Sequence, residues 1–437
     1  MKIALLGCDE EALELVRSAT AGGDHVLVAA FDAAEFAPQL RSVAPLARLD
    51  DEWESLLVGT AADAVIVARG WLDTSSQTGF SGNERRADQL RKLAQAAVPI
   101  LVIHPACEMI VAYEVEMIRA ASGGVIVPYV PELFHPAVSE LRLLSDDAAS
   151  PLGSLEQIVF ERSMNDRSRA AVLSRFARDA ALIRRLIGTI RQVAASGPAG
   201  TEYHDPLGPR TAALPSLASL NVHLSGERQF PARWSVEPVE DQAGARLVLV
   251  GASGRATLRI PDDPESSWVL EITGQQQERR EFPPNRAPLA ALAQLCAALD
   301  NDEPAEATWL GACRDLEAAA AIDRSLDKGR AIPLYTDEIT EEQSFKGVMA
   351  VGGCLTLAVT LLGVAIVVLV EALQLELRRS PYWRLWPMYL LTPILVFLVL
   401  QTLAVVAQGS GKKKRPSGEE AQSPLAEGED RQRLPTA

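Results

Sequence analysis

The first thirty-two residues constrain the fold more than any other stretch. Lys2-Ile3-Ala4-Leu5-Leu6 is an apolar run of strand length closed by Gly7. Ala12, Leu13, Leu15, Val16 and Ala19 follow at helical spacing, and Gly22-Gly23 ends that helix. A second apolar run, His25 to Phe31, stops at Asp32. Strand, glycine turn, helix, strand and terminal acid form the opening βαβ unit of a doubly wound, dinucleotide-binding sheet. In such a unit the helix N-terminus holds a pyrophosphate and the acid bonds a ribose. The usual G-x-G-x-x-G/A reads Gly7-Cys8-Asp9-Glu10-Glu11-Ala12 here. Asp9 stands where main chain approaches a phosphate, and Glu10 and Glu11 add to the repulsion.

The alternation continues. Asp50 to Leu57 reads as a short helix opened by acids, Asp63 to Ala68 as a buried parallel strand, and Arg69 to Arg86 as a long polar loop at that strand's C-terminal edge. Helix 87–97, strand 99–103, helix 109–121 and strand 124–129 follow. A polar linker from Ser145 to Pro151 leads to a second region. There Leu155 to Arg162 reads as a strand, and Leu173, Phe176, Ala180, Ile183, Ile187 and Ile190 predict one helix over 170–195. After the Gly/Pro-punctuated segment 197–215, the runs 217–224, 232–239, 246–250, 256–260 and 268–272 predict a largely antiparallel sheet with one face exposed. Gly251 to Gly254 is a hairpin turn, and 287–299 and 309–328 are closing helices.

Gly347 to Val370 carries no charge over 24 positions, and Met388 to Ala407 is a second apolar run. Both have the length to cross a bilayer, about 20 residues or more. Tyr382, Trp383 and Trp386 stand where interfacial aromatics belong. The Lys412-Lys413-Lys414-Arg415 cluster after the second run places the C-terminus in the cytoplasm, and a two-helix hairpin then places the N-terminal part there too. The absence of a signal-peptide pattern at the N-terminus agrees, whereas Arg378, Arg379 and Arg384 between the runs oppose it. Composition reads the last stretch as a disordered charged tail. The expected division is therefore 1–144 Rossmann-like domain, 145–335 α+β domain, 336–346 juxtamembrane linker, spans at 347–370 and 388–407, and tail 408–437. The fold class is α/β: a doubly wound parallel sheet plus an α+β domain, followed by two transmembrane helices.

A net charge of -15 argues against a nucleic-acid-binding surface, which needs a basic stripe. Five scattered cysteines without a C-x-x-C pair, and five dispersed histidines without H-E-x-x-H, suggest neither a metal centre nor a disulfide framework.

Over Met1 to Leu334 the order of segments resembles the Gfo/Idh/MocA oxidoreductases. Asp50 to Leu57 followed by Asp63-Ala64-Val65-Ile66-Val67-Ala68 is similar to that family's acidic helix and D-A-V-x-V-A strand. Phe134-His135-Pro136-Ala137 is similar to its F-H-P-A segment, 247–254 to its sheet-domain hairpin, and 317–329 to its closing segment. The resemblance implies NAD or NADP on the first domain and a sugar-like or polyol substrate. It also implies oligomerisation through the open sheet of the second domain. A lysine in E-K-P and a histidine in G-V-H-D-x-D would assist proton transfer. Ile103-His104-Pro105 aligns with the first motif, putting His104 at the lysine. Phe176-Ala177-Arg178-Asp179-Ala180-Ala181 aligns with the second, putting Arg178 at the histidine and keeping Asp179. The T-P-x-x-x-H loop becomes Arg69-Gly70-Trp71-Leu72-Asp73-Thr74. Departures fall on cofactor and proton-transfer positions, while packing positions are kept.

The candidate catalytic residues are therefore His104, Arg178 and Asp179. The candidate cofactor-binding residues are Gly7, Asp9, Ala12, Asp32, Ala68, Arg69 and Pro105. His104 either exchanges protons or caps a strand end. Arg178 either grips an anion or is one more solvated arginine on an arginine-rich helix. Asp32 either bonds a ribose or merely ends a strand, and Asp9 is suited to cap the following helix. Cys8 suits packing better than reactivity. Three functions stay open: a membrane-tethered relative with an altered site, a working dehydrogenase using His104, and a non-catalytic scaffold or sensor.

Overall fold

The computed structural model describes residues 1–58, 62–69, 84–146, 150–197, 216–217, 219–228, 230–239, 242–274, 277–284, 287–300, 307–334, 360–369, 372–373 and 388. The chain forms two compact units, Met1–Thr336 and Asp337–Ala437.

The first unit opens with β1 (Lys2–Leu6), α1 (Glu10–Ala21), β2 (Val26–Phe31), α2 (Ala37–Val43), β3 (Arg48–Asp50), β4 (Ala64–Val67), α3 (Glu84–Gln95), β5 (Ile100–Ile103), α4 (Met109–Ser122) and β6 (Ile126–Tyr129). Its six strands are all parallel, in the order β3-β2-β1-β4-β5-β6. Every residue of β4, β5 and β6 is buried, because helices cover both faces and leave no solvated side to alternate toward. The strand order reverses between β1 and β4, and that switch point is where doubly wound sheets bind ligands.

Next come α5 (Pro136–Asp146), β7 (Leu155–Ser163), α6 (Arg169–Ile187) and β8 (Ile190–Ser196). The strands β9 (Asn221–Gly226), β10 (Ala232–Glu237), β11 (Gly244–Gly251), β12 (Arg255–Pro261), β13 (Trp268–Thr273) and β14 (Gln277–Phe282) follow. The unit closes with α7 (Ala287–Leu299), α8 (Trp309–Lys328) and β15 (Ile332–Pro333). The second sheet runs β14-β13-β12-β11-β7-β10-β9-β8-β15, antiparallel except between β10 and β7. One face packs Phe160, Trp234, Leu247, Leu258 and Leu270 into a core with Phe176, Ala180 and Ile183 of α6 and Leu316, Ala319 and Ile322 of α8. Phe176 meets Trp234 edge-on at 5.2 Å. On the opposite face, Arg246, Arg259 and Arg279 are exposed beside Glu161 and Glu271.

Several expected elements change. The helix predicted over 170–195 ends at Ile187 and its last third is β8. Gly188 at φ 75° turns the chain out of the helix, and the β-branched pair Ile190 and Val193 then packs into the sheet. The helix predicted at 50–57 is strand β3 plus a 3-10 turn, Trp53–Leu57, since Asp50 Oδ1 accepts the amides of Asp51 and Glu52 in a local turn. Strand β14 and helix α5 were not anticipated; β14 (QERREF) is mostly exposed and shows no apolar alternation. Helix α7 returns to the first sheet, where Ala291, Leu292 and Leu295 share a core with Leu13 and Val16 of α1. Helix α3 begins at Glu84, three residues before the expected start, which moves Arg85 and Arg86 from a loop onto its first turn.

In the second unit, residues 360–369 are helical. Leu361, Leu362, Val364, Ile366, Val368 and Leu369 are exposed on that helix. Among the described residues no helix is long and apolar enough to cross a membrane. Most of the two expected spans, the segments 70–83 and 198–215, and the charged tail lie outside the described residues.

Candidate functional site

Gly7 turns the chain from β1 into α1 at φ 73°, and its amide donates to the Phe31 carbonyl at 2.8 Å. That conformation strains any residue with a Cβ. Two residues on, Asp9 caps α1: its Oδ1 accepts the Ala12 amide at 2.7 Å. Its Oδ2 accepts the Arg69 amide at 3.2 Å, joining the β1 turn to the end of β4 across the switch point. Ala68 lies beside them, its amide on the Leu6 carbonyl at 3.1 Å. Gly7, Asp9, Ala12, Ala68 and Arg69 are thus brought together.

Asp32 ends β2 at φ 51°. Its Oδ1 accepts from Arg85 Nη2 and its Oδ2 from Gln89 Nε2, each at 2.7 Å. Gln89 Oε1 in turn accepts from Arg86 Nη1 at 2.8 Å. Arg86 is only 6% exposed, and a Cβ placed on Gly7 would overlap its guanidinium. Burial pulls Arg86 down to about 10, Asp32 and Asp9 opposing the fall and Arg85 adding to it. Cys8 is pushed up to about 12 by burial and by Asp9, so its thiol stays protonated.

A second cluster joins the two sheets. Arg178 of α6 donates to Glu11 Oε1 through Nη1 at 2.6 Å and to Glu132 Oε2 through Nη2 at 3.1 Å. Glu11 also pairs with Arg69, and Glu132 with Arg175 Nη1 at 3.3 Å. Burial alone would raise both carboxyls, but the arginines outweigh it: Arg178 and Arg69 hold Glu11, and Arg178 and Arg175 hold Glu132, below the usual carboxylate range.

His104 ends β5 beside buried Pro105, its amide on the Tyr129 carbonyl at 3.1 Å. Burial pushes its imidazole down to about 3, and the nearby charges of Arg178, Arg69 and Arg184 push the same way. The ring is neutral at physiological pH.

Asp179 lies behind this cluster, its Oδ1 3.9 Å from Arg175 Nε. It is fully buried in the second sheet's core, accepting from Arg162 Nε at 3.0 Å, Arg162 Nη2 at 2.5 Å and Trp234 Nε1 at 2.9 Å. Asp262 completes the group, 3.1 Å from both Arg162 Nη1 and Arg175 Nη2. His135 of the F-H-P-A segment is a joint between layers: its ring stacks on Trp268 at 3.8 Å. His135 Nδ1 accepts the Ala137 amide while Nε2 donates to the Pro283 carbonyl. Glu132, Arg85, Arg86 and Gln89 were missed as site residues. Arg85 and Arg86 carried no signal of their own, because Glu84 beside them supplies the acid that a helix start favours.

No family model matches the chain, and no curated protein matches it. Solved structures do. An aldose-aldose oxidoreductase from Caulobacter crescentus, complexed with glycerol, matches at TM-score 0.60 and 16% identity, over 76% of this chain and 99% of that one. An oxidoreductase from Agrobacterium radiobacter, in complex with NAD+, L-tartaric acid and magnesium, matches at TM-score 0.58 and 12% identity, over 76% and 98%. A 3-ketoreductase from Actinomadura kijaniata, in complex with NADP and TDP-benzene, matches at TM-score 0.58 and 13% identity, over 74% and 97%. The chain has the fold of these oxidoreductases.

Proposed function

We propose that this chain is a membrane-anchored protein of the Gfo/Idh/MocA type whose cofactor cleft has been converted to internal ion pairing, so that it performs no nicotinamide-dependent hydride transfer. It serves at the membrane as a sensor or scaffold, and any small molecule it takes is of the sugar or polyol class. The observation that carries this reading is Arg178. Where the family resemblance calls for a proton-transfer histidine, a permanently charged guanidinium is spent on Glu11 and Glu132.

The cofactor positions support the same reading. A diphosphate needs the free amides of the α1 N-terminus and bare main chain at the glycine turn. Here Asp9 already takes the Ala12 amide, Arg86 lies on Gly7, and both oxygens of Asp32 accept from α3. The residues present do not fit NAD or NADP in the pose its neighbours' fold implies. The neutral, fully buried His104 is a poor substitute for a catalytic lysine. Anchoring rests on the uncharged run 347–370 and on the exposed leucines and valines of helix 360–369. Self-association through the open face of the second sheet belongs to the same proposal.

The test uses the full chain, expressed in cells and purified in detergent micelles. The chain should resist alkaline extraction from the membrane fraction. Titration followed by the intrinsic fluorescence of NADH and NADPH should show no saturable binding below about 1 mM, the level of a weak contact. Tight binding with turnover abolished by His104→Ala would replace this reading with an active dehydrogenase.

A further inference from the structure

The sequence explains why a dinucleotide would be repelled at Gly7 through Asp9, but not what fills the space above the turn. We infer that Arg86 is a built-in plug of the glycine turn: its side chain, delivered by the first turn of α3, takes the volume a diphosphate would need and supplies the counter-charge for Asp9 and Asp32. This rests on the proposed function and names the device that keeps the cleft shut.

The argument is local. Arg85 and Arg86 stand in the first turn of α3, the positive end of the helix dipole, where a cation is disfavoured. Arg86 is also buried, which adds a desolvation cost. The nearby charges of Asp32 and Asp9 offset part of these costs, and the Gln89 side chain holds the guanidinium directly. The chain fixes the guanidinium through a relay: Arg86 Nη1 to Gln89 Oε1 at 2.8 Å, then Gln89 Nε2 to Asp32 Oδ2 at 2.7 Å. Its Nη2 faces Gly7 so closely that one added carbon there would collide with it. Gly7 therefore has no Cβ for two reasons, its φ of 73° and the guanidinium above it. The glycine that elsewhere admits a ligand here admits a side chain of the same protein.

An alternative role for Arg86 is a phosphate ligand waiting for its anion. The two roles predict opposite effects of removing it. NADH is titrated by fluorescence into detergent-solubilised full chain in four forms: unaltered, D9G, R86A and D9G/R86A. Glycine is tolerated at a helix cap, so D9G keeps α1. The plug predicts that D9G alone leaves binding weak and that D9G/R86A binds at least about tenfold more tightly, a difference of about 1.4 kcal/mol. Weaker binding in D9G/R86A than in D9G would make Arg86 a ligand and overturn the plug. Equal weakness in every form would overturn it as well. Tight binding by the unaltered chain would sink the proposed function, yet leave the plug standing if R86A tightens it further.

A second measurement does not need a ligand. G7A, R86M and G7A/R86M are compared by thermal unfolding. The strain of alanine at φ 73° is common to both backgrounds, so the cycle isolates the collision. G7A should cost clearly less in the R86M background. Equal cost in both would place Arg86 away from the turn and end the proposal.

Discussion

The Gly7 turn and the Arg178 bridge are both clusters of arginines and acids, yet they are built on different principles. The turn cluster lies within the first sheet and its helices: α3 meets the ends of β1 and β2, and Arg85 and Asp32 keep 57% and 18% of their side chains in solvent. The α6 cluster ties one sheet to the other, and Arg162 and Asp179 behind it have no solvent at all. Coulomb attraction is worth little where water screens it and a great deal where it does not, but removing one buried partner strands the other. At the turn the outer pair, Arg85 and Asp32, is screened in this way, while Arg86 inside it is buried. The α6 cluster is a place where the fold itself is decided.

The largest test of that contrast is Asp179→Ala. It strands the Arg162 guanidinium and the Trp234 indole N–H in the core, leaving Arg162 only Asp262, which is 37% exposed. We expect a loss of about 3–5 kcal/mol in unfolding free energy, the usual cost of breaking a buried pair from one side, read by denaturant unfolding of the full chain in micelles. A loss below about 1 kcal/mol would reduce this group to the standing of a surface pair and erase the contrast.

The same contrast explains what the sequence disclosed. The βαβ opening, the parallel first sheet and the antiparallel second one follow from apolar periodicity, which is a property of neighbouring residues. Gly7, Asp9, Ala68 and Arg69 were placed together because the strand order of a doubly wound sheet fixes which strand ends meet. The partners of Asp32 were not legible, because Arg85 and Gln89 lie more than fifty residues away and read as loop and helix surface. Asp179 looked like a remnant of a catalytic motif, since adjacency to Arg178 says nothing of direction. One step along a helix turns a side chain about 100°, and that step takes Asp179 out of the cleft and into the core. Glu132 had no signal, because its meaning comes only from α6 packing against the segment after β6.

His104 gives a test of intermediate size and connects burial to pH. Its folded-state pKa is about 3, below the ordinary 6.5. Between those values the unfolded chain binds the proton and the folded chain refuses it, so this contribution to stability is complete above about pH 6.5 and is lost as the pH falls toward 3. His135, held down to about 4 mainly by burial, acts in the same direction. His104→Asn should therefore flatten the fall of unfolding free energy between pH 6.5 and 4.5 by a few kcal/mol, above the range where Glu11 and Glu132 take protons. An unchanged slope would mean that the imidazole reaches water, and would return it to the list of working acid–base groups.

The smallest effect belongs to Asp32→Asn. The substitution removes the charge facing Arg85, whose side chain is more than half exposed, so the stability change should stay within about 1 kcal/mol. Asparagine retains one carbonyl oxygen, enough to keep the Gln89 amide that steadies Arg86. If the turn is an access point and not a structural clamp, the fold will tolerate this change while Asp179→Ala weakens it by several kcal/mol, and the gap between the two measurements is the quantity to obtain. Should Asp32→Asn cost as much as Asp179→Ala, the turn would be a second structural anchor, and Arg86 would be held there for stability and not for exclusion.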